Sequence, residues 1–284
     1  MLNRRDLLKA GAAAAAAAAL SGWSAVRPKL ALAAYSMRKA LDLKNPTMTL
    51  EQFLEQCAAW DVDGAELTEY FFPKPVTPDF IGRLKRAALR LGLDITGTPM
   101  GNTFTHPPGE ARDREIARVK QWIDVSADLG SPAIRIFAGN APKGADEETA
   151  RGWVVDCIHA CLEHAAKRGV ILALENHGGV VATAEGMLSI GDRIKSEWFG
   201  FNLDSGNFHS DDPYAELERI APRAVTAQLK VEMRRAGKKE AADLPRIVGL
   251  LRKAGYRGYL TLEYEAAEDP MEAIPRTLAQ LRGL

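Results

Sequence analysis

The chain has 284 residues, of which 46% are hydrophobic and 26% charged, and its formal net charge is zero. A chain of this length can bury a large core, and a neutral one lacks the overall field that holds a polyanion, which argues against nucleic acid as a partner. After residue 30 no segment is long and apolar enough to cross a bilayer. The three cysteines, Cys57, Cys157 and Cys161, all fall in helical patterns and read as small buried apolar residues rather than a disulfide framework.

The chain opens with Asn3-Arg4-Arg5-Asp6-Leu7-Leu8-Lys9, followed by an unbroken run from Ala12 to Ala19 and Leu20. The arginine pair resembles the twin-arginine export motif, with Asn3 and Leu7 where the consensus usually has Ser or Thr and Phe. A basic start followed by a short alanine run is a signal-peptide pattern, too short for a membrane span. The alternative is an alanine-rich helix of a cytoplasmic protein. The resemblance assigns residues 1–28 to a cleavable signal peptide and implies a periplasmic or otherwise exported protein, with no stable membrane insertion after cleavage. Because this route carries folded proteins, a weakly held metal could be loaded before export.

From Lys29 onward, apolar runs alternate with amphipathic stretches of helical spacing. Strands are predicted at Leu30–Met37, Gly64–Tyr70, Asp94–Thr98, Ala133–Phe137, Val170–Glu175, Gly200–Asp204, Ala224–Lys230 and Tyr259–Tyr264. Helices are predicted to begin near Thr49, Thr77, Arg112, Asp146, Thr183, Asp212, Ala242 and Asp269, several with capping residues, and several end at glycine (Gly92, Gly130, Gly169, Gly255). Strand–helix alternation demands parallel strands with crossover helices. Eight such units predict an α/β fold, a (β/α)8 TIM barrel forming a single domain over residues 29–284. An open doubly wound sheet would want a glycine-rich loop after the first strand, but Tyr35-Ser36-Met37-Arg38 stands there.

Barrel enzymes place their chemistry at the C-terminal ends of the strands. Glu175, Asp204, Gln228 and Glu263 sit there on the fifth to eighth predicted strands. Such groups are costly to bury unless something pairs with them. An ion-pair network is one answer, but Lys230 and Arg135 are the only plausible nearby cations for three acids. The four residues therefore read as ligands of one divalent metal. Three carboxylates and an amide oxygen form a hard set that favours Mn2+, with Mg2+ or Co2+ as alternatives, over Zn2+.

The segments Ala173-Leu174-Glu175-Asn176-His177-Gly178-Gly179, Asn202-Leu203-Asp204-Ser205-Gly206-Asn207-Phe208-His209, Gln228-Leu229-Lys230 and Leu262-Glu263-Tyr264, in this order, resemble the xylose isomerase-like superfamily of sugar phosphate isomerases and epimerases. Ala133-Ile134-Arg135-Ile136-Phe137-Ala138-Gly139 is similar to the family's fourth strand. The resemblance implies that Glu175 and Glu263 flank the metal and shuttle the proton, with Asp204 as second ligand. The third ligand is usually the histidine of a His-x-Lys-Asp motif, where this chain has Gln228-Leu229-Lys230-Val231. The implied function is metal-dependent isomerisation or epimerisation of a small carbohydrate through an enediolate. A lyase or dehydratase of the same superfamily, acting on a 3-keto-glycoside or a dehydroshikimate-like acid, is the alternative. Barrels of this family often pair as homodimers.

Substrate contacts are expected from His177, two residues after Glu175; His209, five after Asp204; Lys230, two after Gln228; Glu69, closing the second strand; and His106, on the loop after the third. Arg135 reads better as half of a structural ion pair, and His159 and His164 as helix packing or surface residues. A DNA-repair endonuclease of this barrel type would need a histidine-rich trinuclear site, which five histidines, two of them on one helix, do not supply. A sugar-binding protein without metal would not need three acids at the strand ends.

Overall fold

A computed structural model describes residues 27–284; the twin-arginine segment and the cleavage region before residue 27 lie outside them. The chain runs β1 (Leu30–Ala33), α1 (Leu50–Ala59), β2 (Gly64–Glu66), α2 (Pro78–Leu91), β3 (Asp94–Gly97), α3 (Glu110–Leu129), β4 (Ala133–Ile136), α4 (Glu147–Arg168), β5 (Ile171–Glu175), α5 (Ala184–Gly191), β6 (Phe199–Asp204), α6 (Pro213–Ile220), β7 (Ala224–Leu229), β8 (Glu232–Arg235), β9 (Lys238–Ala241), α7 (Leu244–Lys253), β10 (Leu260–Leu262) and α8 (Pro270–Arg282). Eight strands pair in parallel in the order β3-β2-β1-β10-β7-β6-β5-β4. The seam between β3 and β4 is closed just beyond β3, where Thr98 N–H donates to Ala133 O and Met100 N–H to Arg135 O, each at 3.1 Å. The result is a (β/α)8 barrel. Among the described residues no helix is long and apolar enough to cross a membrane.

Strands covered by helices outside and by barrel contents inside are buried on both faces. Accordingly Leu30–Ala33, Ala133–Ile136 and Leu260–Leu262 are buried at every position. The helices start where their caps allow. Thr49 Oγ1 accepts from Gln52 N–H while Gln52 Oε1 accepts from Thr49 N–H, a reciprocal box; removing such a cap costs about 1 kcal/mol. Thr77, Asp146, Thr183, Asp212, Asp243 and Asp269 cap six further helices. Gly92, Gly130 and Gly169 end α2, α3 and α4 in the left-handed conformation.

Two features depart from the sequence expectation. The first and second strands stop early, at Ala33 and Glu66, and short 3-10 turns follow at Ala34–Met37 and Glu69–Phe71. Beyond the first strand a side chain takes over the ladder: Ser36 Oγ accepts from Tyr264 N–H at 2.9 Å and donates to Leu262 O at 3.3 Å. The second departure is the antiparallel hairpin β8–β9, inserted directly after β7, which makes β10 the eighth barrel strand.

Candidate active site

The three acids converge on the C-terminal mouth of the barrel. Glu175 closes β5, Asp204 closes β6, and Glu263 follows β10 by one residue; all three are at least 95% buried. Backbone geometry at these positions is held by side chains. The Asn176 amide donates to Asp204 O and accepts from Asp204 N–H, each at 2.9 Å. Asn102 grips Phe137 in the same way, donating to its carbonyl at 2.9 Å and accepting from its N–H at 2.8 Å. Each asparagine continues the hydrogen-bond ladder past the end of its sheet.

Glu175 is clamped. Its Oε1 accepts from Asn207 Nδ2 at 2.8 Å, and its Oε2 lies 2.7 Å from Arg135 Nε. The latter contact is charge against charge without hydrogen-bond alignment, so both atoms are left without a hydrogen-bond partner. Arg135 is itself fixed: Nη1 donates to Met100 O at 2.8 Å, and the guanidinium lies 3.8 Å from the centroid of the Phe137 ring. That ring packs on His177 at a centroid distance of 4.3 Å. Burial and the Arg135 charge push the His177 pKa down. The expected structural ion pair of Arg135 therefore exists, and it is made to a site residue.

Asp204 Oδ1 accepts from Gly206 N–H at 2.8 Å. Its buried Oδ2 has no hydrogen bond and lies 3.2 Å from Lys230 Nζ. The Lys230 ammonium also donates to Glu263 Oε2 at 2.5 Å and contacts Glu265 Oε1. Burial opposes the charge of Lys230, yet Asp204, Glu263 and Glu265 hold its pKa well above the usual lysine range. For the acids the balance goes the other way. Burial, opposed by Lys230 and reinforced by Glu175 and Glu263, raises Asp204 to about 7. Burial likewise raises Glu175 against the pull of Arg135.

Gln228 stands opposite Asp204 in the β6–β7 ladder, and its amide is engaged at both ends. Its Oε1 accepts from Asn202 Nδ2 at 2.6 Å and its Nε2 donates to Glu66 Oε1 at 2.7 Å, so the amide spans the barrel interior from β7 to β2. Thr226 Oγ donates to Asn202 Oδ1 at 2.7 Å and completes the chain. Burial and the nearby Glu263 raise Glu66 to about 8, so this carboxyl is neutral at neutral pH. Glu66, Asn202, Asn207, Asn176 and Glu265 escaped the sequence reading. Barrel closure brings Glu66 across to Gln228, whereas Asn176, Asn207 and Glu265 follow Glu175, Asp204 and Glu263 by one, three and two residues, a proximity visible locally.

The other expected residues divide. His209 and Lys230 share a cavity of about 240 Å3 with Gly206, Asn207, Glu232 and Glu265. Glu69 is committed to Gly101 N–H at 3.1 Å and to Arg118 Nη1 at 3.1 Å, and so anchors the loop after β3. His106 lies further along that loop, half-buried. Beside the mouth, Tyr35 and Tyr70 meet edge to face at 6.2 Å. Burial, followed by the charge of Glu265, pushes the Tyr35 hydroxyl pKa up.

Residues 54–284 match the xylose isomerase-like TIM barrel family. The chain belongs to this family. Residues 1–21 match the signal sequence of the twin-arginine translocation pathway, so the chain carries an address for export by that route. No curated protein matches the chain by sequence. Among solved xylose isomerase-like barrels, the apo 3-keto-D-glucoside 4-epimerase from E. coli is 17% identical, with a TM-score of 0.71 over 91% of this chain and 100% of that one. A D-psicose 3-epimerase solved in the presence of D-fructose is 14% identical, with a TM-score of 0.69 over 84% of this chain and 86% of that one. The IOLI protein, solved with a bound zinc atom, is 18% identical, with a TM-score of 0.70 over 90% and 95%. At these identities the likeness is one of fold.

A divalent cation suits the donor chemistry of this xylose isomerase-like barrel. The carboxylates of Glu175, Asp204 and Glu263 are hard oxygen donors, and buried oxygens of the first two lack hydrogen bonds. Among the described residues, the cations paired with the three are Arg135 and Lys230. Lys230 stands between Asp204 and Glu263, and among the described residues no three such side chains converge as a ready cage.

Proposed function

We propose that this protein is a divalent-metal-dependent isomerase or epimerase of a free or keto sugar, with Glu175, Asp204 and Glu263 holding the metal. The observation that carries the reading is the trio of buried carboxylates at the barrel mouth, two of them with buried oxygens lacking hydrogen bonds. A bound cation supplies the positive charge that polarises a substrate carbonyl and stabilises its oxygen as the neighbouring proton leaves. The amide of Gln228, whose oxygen is taken by Asn202, supports the site from inside the barrel.

The chain's own groups then divide the proton work. Glu263 uses only Oε2, on Lys230; among the described residues no donor reaches its Oε1, which is free to accept a proton. Glu175, held by Arg135 and Asn207, keeps a fixed orientation and serves as the partner that returns a proton from its own side. The rings of Tyr35 and Tyr70 offer a sugar an apolar wall, and His177, His209 and Lys230 offer polar contacts to its hydroxyls. The epimerase neighbours with sugar substrates favour the same class. The export signal favours an unphosphorylated substrate over an intracellular sugar phosphate.

The test is incubation of the purified protein in D2O with free sugars, keto sugars and 3-keto-glycosides, followed by NMR, with the metal identified on the same sample by mass spectrometry. Deuterium beside the carbonyl of an isomerised product, absent with Glu263→Gln, is expected. An unsaturated product would reassign the protein to the lyases. No bound metal and no exchange on any substrate would refute the site.

A further inference from the structure

Lys230 is held unlike a surface lysine. Its backbone N–H donates to Ser205 Oγ at 2.8 Å. Its stem runs against Gly206, where an added Cβ would come within 2.8 Å of Lys230 Cγ. The alternate-residue spacing of β7 places Lys230 on the same face as Gln228, one step nearer the mouth. The stem is thus steered between β6 and β10, and its ammonium meets Asp204 Oδ2, Glu263 Oε2 and Glu265 Oε1 together. Two of these three oxygens belong to the proposed metal ligands.

We propose that Lys230 is a built-in counter-ion which a divalent cation displaces on binding, and that Glu265 receives the displaced ammonium. This rests on the metal-dependent reading above. The argument is one of charge and space. A cation and an ammonium on the same carboxylate oxygens repel each other at that range in a poorly solvated pocket, so the binding of one weakens the hold of the other. The charge count also favours exchange. With the ammonium in place, three carboxylates face two single positive charges, and a deficit remains. With a divalent cation in its place, the same carboxylates and Arg135 balance. Lys230 then retains a partner without re-entering the cluster: the Glu265 side chain is 39% exposed, against 0% for Asp204 and 7% for Glu263, and borders the cavity that holds His209. From there the ammonium can face a substrate oxygen. The same lysine thus holds the acids together before the cation arrives and leaves them when it does.

The experiment is calorimetric titration of chelator-stripped full-length protein with Mn2+, for the wild type, Lys230→Met and Lys230→Arg. Denaturant unfolding of each is measured with and without Mn2+. Lys230→Met is expected to bind Mn2+ about tenfold or more tightly than the wild type, because the competitor is gone, while its metal-free form unfolds at lower denaturant. Lys230→Arg, which keeps the charge, is expected not to tighten. A merely structural lysine would weaken binding and stability together, so unchanged or weaker binding by Lys230→Met overturns the proposal and leaves the metal-dependent reading standing. Mn2+ binding by none of the three proteins overturns both. A crystal structure of the Mn2+-loaded wild type tests the same point without a variant. Nζ on Glu265 and away from Asp204 is expected; Nζ still on both Asp204 and Glu263 overturns the proposal.

Discussion

Asn176 holds the main chain of Asp204 with both ends of its side-chain amide, at 2.9 Å each. Asp204 is thereby locked two residues beyond Asn202, the last residue that pairs with Glu175 in the backbone ladder between their strands. Asn176→Ala would strand a buried N–H and a buried carbonyl. The expected loss is about 2–4 kcal/mol of stability, measured by urea unfolding, with weaker metal binding by the folded fraction. A loss below about 0.5 kcal/mol, the range of ordinary surface substitutions, would show that the amide is dispensable.

Arg135→Leu should be more damaging than its conservative volume suggests. Arg135 is the cation beside Glu175, and it also supports Met100 O and the Phe137 ring. Removing one partner of a buried pair costs about 3–5 kcal/mol. The double variant Arg135→Leu, Glu175→Leu is expected to recover part of that stability, since no buried carboxylate is then left alone. A double variant no more stable than the single one would assign the damage to packing.

Glu66 sets a pH dependence. Its folded pKa, about 8, lies above the ordinary carboxylate value because of burial and the nearby Glu263. The native state therefore keeps a proton that the unfolded chain releases, and stability falls as pH rises from the ordinary value through the folded one. Between pH 5 and pH 8 the chelator-treated protein should lose on the order of a few kcal/mol, and Glu66→Gln should make that decline shallower, the remainder belonging to Asp204 and Glu175, whose values are raised as well. The Gln side chain can still accept from Gln228 Nε2. An equally steep decline in Glu66→Gln would place the titrating group elsewhere.

Ala236 begins the two-residue turn of the β8–β9 hairpin with a φ of 46°, beside Gly237 at 76°. Two positive φ values in succession mark a turn that prefers Asn-Gly. Ala236→Asn should therefore stabilise the protein by about 0.5–1 kcal/mol, read as a rise in melting temperature. A fall would show that the turn is held in place by Ala236 N–H on Ser210 O with no strain left to relieve.

The same turn explains why the hairpin was illegible in the sequence. Ala236-Gly237 lacks the Asn or Asp that announces a tight turn, and Lys238-Lys239-Glu240 alternates no apolar face. The overlong first strand has a different origin. Apolar pattern continues through Ala34, but the ladder is handed to the side chain of Ser36, whose partners lie 226 and 228 residues away.

The order and type of the barrel units were legible locally, because strand periodicity and helix caps such as Thr49, Asp146 and Thr183 are short-range interactions. Local pattern also showed that three acids stand at the ends of the fifth, sixth and eighth barrel strands. Tertiary structure alone decided how those acids are used. Gln228 and Lys230 lie two residues apart on one strand face, and either could reach the acids by spacing. Curvature of the closed barrel turns Gln228 to Glu66 across the interior, while the missing side chain of Gly206 lets the stem of Lys230 through to Asp204 and Glu263. Those contacts join residues far apart in the chain, and their strength depends on burial and neighbouring charge, which exist only once the barrel has closed.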